Sequence, residues 1–110
     1  MTETVDDAVA RLGVCAEMQG VTRRALELFG HSSVDVYNRD GALIIVTPLD
    51  VEINMCYSTY FGEIRIICHK ANDTTTARFL GVRRGHYGVR VVCNWLATVA
   101  RYIERRGRKA

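Results

Sequence analysis

Residues 51–58 read Val51-Glu52-Ile53-Asn54-Met55-Cys56-Tyr57-Ser58. Val51, Ile53, Met55 and Tyr57 alternate with Glu52, Asn54, Cys56 and Ser58. That period of two predicts a strand with one face in a core and the other wet. Downstream, Thr59-Tyr60-Phe61-Gly62 supplies a turn, Glu63–His69 a further strand, Ala71–Thr74 a loop and Thr76–Val82 a last strand. Upstream, Pro48-Leu49-Asp50 turns the chain out of Leu43-Ile44-Ile45-Val46-Thr47. That run is β-branched and apolar on both faces, as a central strand would be. Before it, Ser33–Tyr37 alternates, and Asn38-Arg39-Asp40-Gly41 carries hairpin chemistry. Connections this short between successive strands predict an antiparallel meander of four to five strands.

Helical spacing flanks the meander. Thr4 with Asp7 resembles a capping box, and Val5, Ala8, Val9, Leu12, Cys15, Ala16 and Gln19 follow on one face. Gly13 weakens this helix and Gly20 is expected to end or kink it. A further segment, Val21–Phe29, carries Val21, Ala25 and Leu28 on its apolar face and stops at Gly30. The N-terminal part is therefore one bent helix or two short ones. At the other end a helix is predicted over about Val89–Arg106, with three stripes. Val89, Val92, Cys93, Leu96, Val99, Ala100 and Ile103 form its core face. Val91, Trp95 and Tyr102 adjoin it, and Arg90, Asn94, Arg101, Arg105 and Arg108 face solvent. The expected fold is α+β, with the C-terminal amphipathic helix packed on the sheet and residues 1–110 forming a single domain.

Composition agrees. A chain of 110 residues holds one core, and 48% hydrophobic with 25% charged residues excludes a disordered polymer. A single proline and the lack of a Gly- or Ser-rich tract leave no visible linker. The acidic start, Met1 to Asp7, lacks a signal peptide's basic and apolar regions. No apolar run approaches the ~20 residues of a membrane helix, so no membrane partner is expected. The expected location is the cytoplasm, where Cys15, Cys56, Cys68 and Cys93 stay reduced as structural thiols, Cys15 and Cys93 on apolar helix faces.

The strongest compositional signal is uneven charge. Residues 1–77 carry eleven acids and six bases, whereas residues 78–110 carry nine bases and Glu104 alone. Arginines three, four and seven residues apart along a helix can follow a row of phosphates, and guanidinium suits bidentate phosphate contacts. Arg83 and Arg84 extend the patch, with His86. The candidate anion-binding residues are thus Arg83, Arg84, Arg90, Arg101, Arg105 and Arg108. A solvated helix face with cations near its C-terminus gives the same pattern. So does a helix lying against an acidic surface of its own chain or of a dimer mate. Val91, Trp95 and Tyr102 are candidates for a protein interface if exposed, and core if covered. Tyr57, Tyr60 and Phe61 could stack bases, although cross-strand packing is the favoured reading of them.

Other chemistry finds less support. Cys56, Cys68 and His69 are metal-ligating types, but neighbours 68 and 69 point to opposite faces of a strand. Cys93 with His86 or His69 would need an exposed thiol at a helix N-terminus, and Cys93 falls on the core stripe. Asp35, Glu52 and Glu63 are accounted for by strand alternation. The glycines at 81, 85 and 88 match neither phosphate-loop fingerprint. No cofactor, metal or catalytic residue is assigned. The expectation is a non-enzymatic binding protein contacting an anionic macromolecule, foremost nucleic acid, through its arginine-rich C-terminal helix. The alternative is an adaptor or inhibitor, of accessory or virus-encoded type, that uses the Trp95/Tyr102 face with basic steering against an acidic protein surface, as a monomer or homodimer. A small enzyme is the remaining class.

Overall fold

The computed structural model describes residues 3–83, 92, 94–98, 101 and 105. The chain begins with α1, Val5–Leu12, and α2, Ala16–Phe29. The Thr4 hydroxyl accepts from the Asp7 backbone N–H at 3.1 Å, and the Asp7 carboxylate accepts from the Thr4 N–H at 3.2 Å. This reciprocal cap satisfies two donors that a helix start leaves open. Hydrogen bonding from Thr4, first from its backbone and then from its side chain, holds the Asp7 carboxyl below the usual carboxylate range.

The N-terminal segment is two helices, and Gly13 rather than Gly20 divides them. Gly13 is left-handed at φ 62°, a C-cap that costs glycine little, whereas Gly20 lies within α2. The restart rotates the apolar face. Met18, Val21, Thr22, Ala25 and Leu26 are buried, while Leu28, expected inside, is 42% exposed. Cys15, expected on an apolar face, is instead the exposed N-cap of α2.

Five strands follow: β1 Asp35–Arg39, β2 Ala42–Val46, β3 Val51–Ser58, β4 Glu63–Lys70 and β5 Asp73–Arg83. They pair antiparallel in the order β1-β2-β3-β4-β5. The first hairpin turns on Asp40 and Gly41 alone, both at positive φ, and β1 accordingly lies two residues later than its alternation suggests. The last hairpin turns on Ala71 and Asn72, so β5 begins at Asp73, earlier than expected. β2 is flanked by strands on both sides, consistent with its doubly apolar sequence.

Register decides which residues share a face. Leu43 opposes Met55, Ile45 opposes Ile53, and Met55 and Ile53 oppose Ile66 and Cys68. All six are fully buried and meet Ala8, Leu12, Met18, Val21, Ala25 and Leu26 from the helices. Asn38 ties sheet to helix by donating to the Leu12 carbonyl at 2.8 Å, one of the acceptors a helix end leaves open. Residues 92, 94–98, 101 and 105 are helical, and Val92 and Leu96 enter the same core at no measurable exposure. Apolar side chains from α1, α2 and the C-terminal helix thus join those of the sheet in one core. None of the described helices is long and apolar enough to cross a membrane.

Candidate functional site

The C-terminal helix is held by its apolar side. Val92 and Leu96, one turn apart, are buried, and Trp95 packs half-buried against the same cluster. With those positions turned inward, helical geometry sends others outward: Asn94, Thr98, Arg101 and Arg105 are exposed. Arg101 and Arg105 are four residues apart and so lie on one side of the helix, one turn from each other. The structure therefore brings two of the six expected cation positions together on a solvent-facing helix. Arg83 ends the edge strand β5, in register with Glu63. Arg84, Arg90, Arg108, Val91 and Tyr102 lie outside the described residues, as do His86 and Cys93.

Between α2 and this helix runs a shallow groove of about 280 Å³ lined by Arg24, Glu27, Leu28, Asn94 and Ala97. Arg24 donates to Glu27 at 2.9 Å across one turn, which leaves the α2 wall close to neutral. The exposed Leu28, with Ala97, gives the groove its apolar lining.

The sheet face turned away from the helices holds residues that periodicity alone left unassigned. A lateral row runs Tyr37, Ile44, Asn54, Ile67, Phe79 across all five strands. Ile44 is buried within it, while Ile67 and Phe79 are 43% and 59% exposed. At the β3–β4 turn Phe61 meets Tyr60 edge-on at 4.8 Å, and the Arg65 guanidinium lies 4.2 Å over the Phe61 ring. Arg65 also donates to Glu63 at 3.0 Å. Tyr57, grouped with these aromatics by sequence, instead packs against the core. The signal for Ile67 and Phe79 was present in the chain. Both are out of phase with Ile66 and Leu80, which point inward.

The same register separates the metal-ligating types. Cys68 is buried in the core, Cys56 lies on the outward row opposite Arg65, and His69 faces outward. Both ring nitrogens of His69 are engaged, Nδ1 with the Lys70 carbonyl at 2.8 Å and Nε2 with Glu52 at 3.1 Å. Among the described residues no three His, Cys, Asp or Glu side chains gather as a metal site would require. Asp35 and Glu52 share a lateral row with Val46 between them, and Glu63 sits elsewhere with Arg65. No carboxylate pair forms among these three. No protein-family model matches this chain, and neither a curated protein nor a solved structure does so.

Proposed function

We propose that this protein is a non-enzymatic binding module that contacts an anionic macromolecule, nucleic acid, through its arginine-rich C-terminal helix. The observation that carries this reading is the orientation of that helix. Val92, Leu96 and Trp95 are spent on the core, while Arg101 and Arg105 stand exposed one turn apart. Nine of the fifteen basic residues fall in positions 78–110 beside one acid, Glu104, so the segment that carries these arginines is strongly net positive. Binding of this kind runs through phosphate contacts, so it carries little sequence preference and weakens steeply with salt.

Fluorescently labelled single- and double-stranded DNA and RNA, titrated at about 50 and 200 mM salt, test it. Binding at the lower concentration that falls at least tenfold at the higher one is expected. No binding to any of the four at low salt ends the proposal. The alternative, a protein-binding adaptor or inhibitor anchored by Trp95, draws its support from the part of that ring that stays outside the core. Full access of Trp95 to acrylamide in the isolated protein would favour it.

A further inference from the structure

The two edges of the sheet are built differently. β1 is five residues long and largely polar, with Asp35, Asn38 and Arg39 exposed. β5 is eleven residues long, and among the described residues only β4 pairs with it. An unpaired strand side presents a row of N–H and C=O groups, which proteins blunt by shortness, charge, proline or a bulge. On β5 the bulge falls toward Asp73, opposite Lys70, and leaves Arg78–Arg83 in unbroken register with Glu63–Cys68. Phe79-Leu80-Gly81-Val82 carries no charge, and Phe79 is 59% exposed. An aromatic that open, on a long edge strand beside the exposed Ile67, leaves apolar surface that a partner strand would cover.

We propose that the partner is a second copy of this chain, paired antiparallel along β5 about a twofold axis at Phe79. A twofold perpendicular to the sheet keeps both open faces on one side, so opposed residues must come from the same face of the strand. Centring on Arg78 would set that guanidinium against its own copy, an opposition of like charges that destabilises a ladder. Centring on Phe79 sets ring against ring, Arg78 against Leu80 and Ala77 against Gly81, with no like-charge pair among them. It also directs the acidic Asp73 end of each strand toward the basic Arg83 end of the other. Aromatic cross-strand pairs are among the favourable ones, and the ladder satisfies main-chain groups on both copies. The two meanders become one continuous sheet.

Sedimentation equilibrium at micromolar concentration, with cysteine cross-linking, tests this pairing. The wild-type protein should run at twice the mass of one chain. Opposed strand residues have Cα atoms about 4.5–5.5 Å apart, within disulfide reach, so Phe79→Cys should cross-link to itself under mild oxidation. Arg78→Cys is the control. Across this axis its Cα atoms would be about 8 Å apart, from ~4.8 Å between strands and two residue rises of ~3.4 Å. That exceeds the ~7 Å limit, so it should not cross-link above wild-type background. Phe79→Lys, at an exposed position that spares the core, should weaken dimerisation at least tenfold with an unchanged far-ultraviolet spectrum. A wild-type monomer at about 100 μM overturns the proposal. A dimer that survives Phe79→Lys, or that cross-links equally through positions 78 and 79, places the interface elsewhere and overturns it too.

Discussion

Replacing Leu96 with Ala removes the larger of the two fully buried side chains among the described residues of the C-terminal helix. Leu96 is wholly enclosed, so the change forfeits its transfer free energy and leaves a void that neighbours fill only in part. Such substitutions destabilise by about 2–5 kcal/mol. The helix is packed on one side only, with Asn94, Thr98, Arg101 and Arg105 exposed, and can settle inward more easily than a central strand, which favours the lower half of that range, about 3 kcal/mol. For a domain of this size a loss of 1 kcal/mol lowers Tm by roughly 4 °C, so a fall near 12 °C is expected. In urea, with m of roughly 1.5–2 kcal/mol/M, the midpoint should drop by about 1.5–2 M at unchanged m. Circular dichroism followed through urea and thermal unfolding measures both. Thr98→Ala, on the exposed side of the same helix, should stay within about 0.5 kcal/mol although its hydroxyl bonds the Asn94 carbonyl. A Leu96→Ala loss below about 1 kcal/mol would mean that the helix is not docked on the core. The inference that its arginines are held outward would then fall.

Thr22 is fully buried on α2, and its hydroxyl has no hydrogen-bond partner among the described residues. The isosteric Thr22→Val should therefore raise stability by about 1 kcal/mol, and a loss of that size would show that the hydroxyl is satisfied. Thr4→Ala removes the cap of α1 and should cost about 1 kcal/mol by urea unfolding. Because Thr4 lowers the Asp7 carboxyl in the folded state, that linkage stabilises above the ordinary carboxylate value and fades as pH falls through the depressed one. The acid limb of the stability–pH curve should accordingly flatten in Asp7→Asn, and an identical limb in the variant would exclude the linkage. Gly41 sits at φ 89°, so Gly41→Val should destabilise by more than about 1 kcal/mol, whereas Gly20→Ala, inside α2, should stabilise by about 0.5–1 kcal/mol.

The sheet was readable because its signals are local and redundant. Alternation in Val51–Ser58 marks both faces at once, and Asp40-Gly41 can supply the paired positive φ of a tight hairpin. The break between α1 and α2 was harder. Gly13 and Gly20 are chemically the same, and the left-handed cap forms at Gly13 because the chain must turn there to bring Met18 and Val21 onto the sheet that Leu12 already covers. Leu28 and Cys15 were misplaced for the same reason, since a rotated restart moves every position after it. The basic helix was legible as charge and as periodicity, and Val92, Leu96, Arg101 and Arg105 lie on the sides their spacing predicts. The exposed Phe79 and Ile67 were overlooked because short apolar strands read as core until register shows that one set of positions faces away from the helices.

The most direct test of the arginine face is the slope of log Kobs against log salt for nucleic-acid binding, compared between wild type and Arg101→Ala/Arg105→Ala. If both guanidinium groups contact phosphates, the double variant binds more weakly to every sequence and its slope falls by about 2, near one unit per contact removed. Equal affinity and an unchanged slope in the two proteins would show that the exposed face of the helix does not touch the phosphate backbone.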